Sequence, residues 1–249
     1  MAELWFAAVG GSEDVPLVIL HPGGTDSRSL APLMKELASG YRVLTPEQRG
    51  HGRTPDRDGE WHFTDMAADT AALLDELGVT RAHVIGWSDG AIVGLELALL
   101  RPDLVTSLVF GEAAFQVGGW RTGVLGSEPP AFMAEAYAEI SPDGASHWPV
   151  VVEKANRMHT LEPAISEADL RRLSMPVLIV LGDDGEVHFD HAVRMYEALL
   201  NGELAVVPRS THGLIVEKPD LLARLIRDFH SPVQSDGLAP IRRNRAKSP

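Results

Sequence analysis

No cysteine occurs among the 249 residues. That absence excludes disulfides, thiolate metal ligands and a cysteine nucleophile, and it says nothing of the redox compartment. Positive charge is scarce too: 22 Lys and Arg stand against 35 Asp and Glu, a formal net charge of -13. A surface of that sign is repelled by nucleic-acid backbones and anionic lipid, so neither is expected as a partner. Long apolar runs are missing. The most apolar stretch, Gly90 to Leu100, is broken by Glu96 and is far shorter than the roughly 20 residues that a membrane-spanning helix requires. The opening Met1-Ala2-Glu3-Leu4-Trp5 places an acid where a secretory signal carries basic residues. A soluble, cytoplasmic protein is the expectation. What the chain does have is 45% hydrophobic residues, enough for one well-buried domain of this length.

Four short apolar runs bounded by turn residues read as buried strands: Val15 to Leu20, Arg42 to Thr45, Ala82 to Gly86 and Leu104 to Phe110. Between them run segments of helical period. Leu30, Leu33, Met34 and Leu37 share one face; Met66, Thr70, Leu73, Leu74 and Leu77 share another; Ala91 to Leu100 forms a third. Alternation of this kind predicts an α/β fold, a mostly parallel sheet with helices on both faces. The pattern lapses after residue 112. Residues 113–172 hold Trp120, Phe132, Met133, Tyr137, Trp148 and Met158 with several prolines and no clear strand, which reads as a helical insertion. It resumes with the strand Val177 to Leu181, a helix from Asp190 to Leu200, the strand Glu203 to Val207 and a last helix from Pro219 to Phe229. The expectation is a single domain over residues 1–230, followed by a mobile basic tail over 231–249 that ends in Arg242, Arg243, Arg245 and Lys247.

Chemistry concentrates where strands meet turns. The strand Ala82 to Gly86 enters Gly86-Trp87-Ser88-Asp89-Gly90, which opens a helix. This is the G-x-S-x-G nucleophile elbow in strand-turn-helix context, a turn that strains the serine backbone and lifts its hydroxyl clear of the sheet. Chance alone supplies some such matches in a glycine-rich chain, so its neighbours decide. The first buried strand ends in His21-Pro22-Gly23-Gly24, a turn able to present backbone N–H groups. Pro22 has none, so Gly23 is one candidate oxyanion donor and the backbone of Asp89 is the other. Ser210-Thr211-His212-Gly213 follows the last strand; His212 there is the candidate general base for Ser88.

Together these segments resemble the α/β-hydrolase fold over about residues 3 to 230. They are His21 to Thr25, Gln48-Arg49-Gly50-His51-Gly52-Arg53-Thr54, Gly86 to Gly90, Val177 to Asp184 and Pro208 to Gly213. The resemblance implies a cofactor-independent serine hydrolase, esterase-like, with a catalytic triad and a helical lid inserted after the family's sixth strand, here residues 113–172. It implies also that Arg49 to Thr54 is a turn beside the site, read as structural. A small-molecule substrate is expected, held in an apolar pocket to which Trp87, Trp120, Phe132, Tyr137, Trp148 and Met158 are candidates. Nothing in the sequence sets the oligomeric state.

The chain departs from the family at the acid. Counting from Gly182, the usual carboxylate position holds Gly185. Asp183, Asp184 and Glu186 flank it, and a shifted turn favours Asp184 as the partner of His212; Glu112, just after the strand Leu104 to Phe110, is the alternative that some members of the fold would use. His188-Phe189-Asp190-His191 has metal-like spacing, yet a serine nucleophile needs no metal and none is expected. Rival readings on the same fold are an aminopeptidase, a carbon–carbon bond hydrolase and a cofactor-free perhydrolase. A rival of another class is a non-catalytic ligand-binding relative, for which Gly185 is the one supporting feature.

Overall fold

The computed structural model describes residues 4–11 and 15–232. Apart from Ser231 and Pro232, the expected basic tail lies outside the described residues. Among the described residues seven strands form one sheet: β1 (Phe6–Gly10), β2 (Leu17–Leu20), β3 (Arg42–Pro46), β4 (Ala82–Trp87), β5 (Val105–Gly111), β6 (Val177–Gly182) and β7 (Gly202–Val207). Their order is β1-β3-β2-β4-β5-β6-β7. Strand β1 runs antiparallel to β3, with Phe6 opposite Pro46, and the other pairs are parallel. The sequence reading does not find β1, a five-residue edge strand whose two alanines and closing glycine carry little strand preference and whose Ala8–Gly10 half is exposed.

Strands β2 and β6 are apolar and buried at every position because both faces of the sheet are covered there. Val18, Leu20, Val84, Leu108, Phe110 and Ile179 point into one core; Leu17, Ile19, Ile85, Val109, Leu178 and Val180 point into the other. The alternation within each strand follows from the two-residue period of its side chains. The first core is closed by α2 (Phe63–Glu76), α3 (Asp89–Leu100) and α7 (Phe189–Ala198), through residues such as Phe63, Leu74, Ile92 and Met195. The second is closed by α1 (Ala31–Leu37), α8 (Leu214–Glu217) and α9 (Pro219–His230), through Leu33, Leu37, Leu214, Leu222 and Ile226. Thr70, on the buried face of α2, returns its hydroxyl to the Met66 carbonyl at 2.9 Å, so its polar group is satisfied within the core.

Between β5 and β6 lie α4 (Ala131–Ile140), α5 (Trp148–Leu161) and the short α6 (Glu167–Leu170). Charged side chains of the body hold this segment over the carboxyl ends of the strands. Arg28 donates to Glu139 at 2.6 Å and to the Ala136 carbonyl at 2.7 Å. Asp56 accepts from Lys154 at 2.7 Å, and His147 lies 2.8 Å from the same carboxylate. Glu162, just past α5, accepts the Phe63 N–H at the start of α2 at 2.9 Å. The parallel crossovers leave one edge of the sheet open beneath these helices, and the strand ends β2, β4, β5 and β6 meet there. Ligand sites of open parallel sheets form at that edge.

Candidate active site

Ser88 adopts φ 54° and ψ -125° between β4 and α3, a conformation that a residue with a side chain adopts only when its surroundings enforce it. The enforcement is visible. Ser88 N–H donates to Gly111 O on β5 at 2.9 Å, and the Ser88 carbonyl accepts Ala91 N–H at 2.8 Å. A side chain at Gly90 would run into the main chain of Leu20, so α3 can seat this close to β2 only with glycine there. Trp87, fully buried, donates its indole N–H to the His212 carbonyl at 2.9 Å. The residue before the candidate nucleophile thus fixes the loop that carries the candidate base.

Leu20 lies opposite Gly86 in the β2–β4 register, which sets the turn after β2 beside the elbow. Gly24 N–H donates to His51 Nε2 at 3.1 Å, and Thr25 Oγ1 donates to the Pro22 carbonyl at 2.8 Å. His51 gives its other ring nitrogen to the Arg49 carbonyl at 2.9 Å. His21 Nδ1 donates to the Pro22 carbonyl at 2.8 Å while its Nε2 accepts Gln48 N–H at 3.0 Å. Burial pushes the pKa of His51 down to about 4 and lowers that of His21, so both rings are neutral struts. The Gln48 to Thr54 turn therefore holds the glycine turn in shape. Gly23 and Asp89 both border the cavity that contains Ser88.

His212 stands at the same cavity. Two carboxylates approach its Nδ1: Glu186 Oε2 at 3.3 Å and Glu112 Oε2 at 3.5 Å, and neither is aligned as a hydrogen bond. Burial opposes the imidazolium, but Glu112 and then Glu186 outweigh it, and the His212 pKa is raised. Glu186 is nearer, yet its side chain is 42% exposed against 0% for Glu112. Water competes for Glu186; Glu112 has no such alternative, and its charge acts at low dielectric. Glu112 takes a φ of 46° just past β5. Its carboxylate accepts the N–H of Gly182 and, at 3.4 Å, that of Glu186.

Asp184, the favoured acid of the sequence reading, is exposed and forms no ion pair with His212; its N–H closes the turn on the Ser210 carbonyl at 3.0 Å. Asp183 likewise turns back, accepting Ser210 N–H at 3.1 Å. Both acids build the turn around the histidine loop, which keeps their carboxylates away from the ring. The glycine that breaks the family pattern has a positive purpose. A Cβ at Gly185 would lie 2.5 Å from Glu112 Oε2, with Oε1 closer still. Only a residue without a side chain leaves room for the Glu112 carboxylate.

The cavity holds about 510 Å³, within the size of small-molecule sites. Trp87, Trp120, Phe132 and Trp148 line it; Tyr137 and Met158 do not, being packed inside the core, where α4 and α5 meet the body. His191 is buried, stacks on Phe115 and accepts its N–H at 3.1 Å, while His188 is exposed. His191 is thus built into packing and His188 faces outward, so the two do not share a centre. Among the described residues no group of three or more His, Asp or Glu side chains is placed to hold a metal ion. Two further ionisable residues border the cavity: Glu186, which the sequence shows only as a neighbour of Gly185, and His159 of α5, which it does not single out and whose Nε2 donates to Asp89 Oδ1 at 2.9 Å.

Comparison with known proteins agrees with this geometry. The sequence pattern described as "Alpha/beta hydrolase family" matches residues 17–225. The chain belongs to the alpha/beta hydrolase family. A relative from Pseudomonas savastanoi pv. phaseolicola named "Putative carbamate hydrolase RutD" is 31% identical, over 87% of this chain and 94% of its own; one of the same name from Agrobacterium fabrum is 26% identical, over 88% and 94%. Among solved structures, the enol-lactonase from Burkholderia xenovorans superposes with a TM-score of 0.72 at 21% identity, covering 92% of this chain and 96% of that one. The meta-cleavage product hydrolase from Pseudomonas fluorescens gives 0.72 at 20% identity, covering 91% and 93%. This α/β hydrolase is an enzyme of the hydrolase class. Among the described residues no helix is long and apolar enough to cross a membrane.

Proposed function

We propose that the protein is a serine hydrolase that cleaves an ester-like bond of a small, largely apolar substrate through an acyl-enzyme on Ser88. One observation carries the reading: Ser88, held at φ 54°, shares a cavity with His212, whose Nδ1 faces the fully buried Glu112. His212 Nε2 removes the Ser88 hydroxyl proton as Oγ bonds to the substrate carbonyl carbon. Glu112 fixes the tautomer that leaves Nε2 free and stabilises the imidazolium that forms. The carbonyl oxygen takes the negative charge and is met by the N–H groups of Gly23 and Asp89, the latter at the amino terminus of α3. The imidazolium then protonates the leaving oxygen or nitrogen as the carbonyl re-forms. Water, deprotonated by His212, attacks the acyl group, and the carboxylic acid leaves as Ser88 regains its proton.

The helices α4 and α5 act as the lid, and their apolar inner side gives the substrate's acyl or alkyl group its place. A carbamate, the substrate class in the names of the two relatives above, fits the same scheme because its carbonyl carries one oxygen and one nitrogen substituent. The feature that favours a non-catalytic binding protein, the missing acid at 185, is accounted for by the Glu112 carboxylate that fills the space. Fluorophosphonate labelling tests the proposal: rapid modification of Ser88, lost in Ser88→Ala, supports it, and an unlabelled folded protein overturns it. A series of p-nitrophenyl esters of increasing acyl length then maps the pocket.

A further inference from the structure

Asp89 brings an awkward charge to the place where an oxyanion is to form. Its N–H is one proposed donor. Its carboxylate lies against the other donor's residue, so close that a Cβ at Gly23 would overlap Asp89 Oδ2 and stand 2.8 Å from its Cγ. A bare carboxylate here would repel the negative charge that develops on the substrate oxygen, and in a low-dielectric site that repulsion is large. The carboxylate is not bare. His159, in the last turn of α5, sends Nε2 to Oδ1 at 2.9 Å and to Oδ2 at 3.1 Å. Both side chains are largely buried, with relative exposures of 17% and 14%.

Taking the serine mechanism above as its basis, we propose that His159 is a positioning residue of the reaction. Its imidazolium neutralises Asp89 beside the oxyanion donors, so the site is electrostatically complete only when α5 is seated on the elbow. The lid thereby contributes a charge to catalysis as well as a wall to the pocket. Burial opposes protonation of His159, but the Asp89 charge and hydrogen bond outweigh it and its pKa is raised; burial likewise opposes ionisation of Asp89, and His159 more than compensates. The other titratable groups facing the pair are His21, His51 and His212 around Asp89, and Glu162 near His159. His51 and His21 are held neutral by burial. In this proposal His159, hydrogen-bonded to its carboxylate where His212 Nδ1 has no aligned partner, carries the local positive charge while His212 exchanges protons with the substrate.

The test uses hydrolysis of p-nitrophenyl acetate by the full chain. His159→Gln, which leaves Asp89 charged and unpaired, lowers kcat about tenfold or more while KM changes less than about threefold. Removing the orphaned charge as well, in His159→Gln with Asp89→Asn, restores most of the lost kcat, a rescue that a purely structural tie between lid and body would not show. In the parent, kcat falls again at alkaline pH as His159 loses its proton; in the double variant that fall is absent. Circular dichroism and thermal melting check that each variant folds. If His159→Gln retains the parent kcat and alkaline limb, or if the double variant is no better than the single, the role of His159 is overturned. Fluorophosphonate labelling of the parent separates the two failures: a labelled Ser88 with an indifferent His159 overturns only this inference, whereas no labelling overturns the serine reading and the inference with it.

Discussion

Adding one methyl group at Gly185 is the sharpest test of how the acid is placed. Gly185 has no unusual backbone requirement, so Gly185→Ala perturbs the structure only by what its Cβ meets, and it meets both Glu112 oxygens. The carboxylate must swing away from Gly182 N–H and from His212. Losing a hydrogen bond to a buried charged group costs about 1.5–3 kcal/mol. For a chain of this size that is a fall of about 3–12 °C in melting temperature. Turnover suffers more. In the Ser-His-Asp template, neutralising the acid lowers the rate by about four orders of magnitude; a displaced carboxylate that keeps its charge is expected to cost about two. Urea denaturation and kcat/KM against pH measure the two effects on the same preparation. Gly185→Asp, which supplies the family's carboxylate, adds like-charge repulsion to the same clash and is also expected to lose activity, and to regain it when combined with Glu112→Ala. A Gly185→Ala enzyme as stable and as active as the parent would refute the argument. So would one that is destabilised with kcat/KM and its pH profile unchanged.

Ser88→Ala should abolish ester turnover and fluorophosphonate labelling with little change in thermal stability, since the hydroxyl anchors no part of the fold. Because carboxylates favour the imidazolium, the raised His212 pKa places the acid limb of kcat/KM above pH 6.5, activity being lost as pH falls through it. Glu112→Gln should move that limb to lower pH and cut turnover by at least about a hundredfold, toward the four orders of the template; Asp184→Asn, at an exposed position, should alter neither, and a pH–rate profile of each variant decides. Trp87→Phe removes the donor to the His212 carbonyl and leaves that carbonyl unpaired, at a cost of about 1–3 kcal/mol by urea denaturation. The looser histidine loop should show as a lower kcat at similar KM.

What was legible in the sequence follows from where the physics is local. Strands buried on both faces favour apolar residues at most positions, and β2, β4, β5 and β6, with only His83, Thr106 and Ser107 polar among them, could be read directly. Strand β1 could not, because it is held by its ladder to β3 rather than by burial. The elbow was readable because a strained turn against a neighbouring strand leaves few choices besides glycine at Gly86 and Gly90. Tyr137 and Met158 share the composition of pocket residues, and only tertiary packing separates them from Trp120 and Trp148. His159 carries no spacing signal at all. It is a lone histidine late in an amphipathic helix, and its meaning comes from a carboxylate 70 positions earlier.

The acid shows most clearly why counting along a chain misleads where counting across a sheet does not. Strands β5 and β6 are parallel neighbours with Gly111 opposite Val180, and Glu112 N–H pairs with the Val180 carbonyl. Adjacent strands lie about 4.8 Å apart, a span that a glutamate side chain crosses. From the end of β5 its carboxylate reaches Gly182 N–H at the end of β6 and occupies the volume in which a side chain at 185 would begin. The two positions are far apart in sequence and nearly coincident in space. A histidine responds to charge at its Nδ1, whichever strand supplies it, since a triad is defined by geometry and role. The run Asp183-Asp184 keeps the composition of an acid-bearing turn while the Asp183 carboxylate and the Asp184 N–H hold Ser210 of the histidine loop. Gly185 and Glu112 are therefore one feature: the glycine is the space, and the glutamate is what fills it.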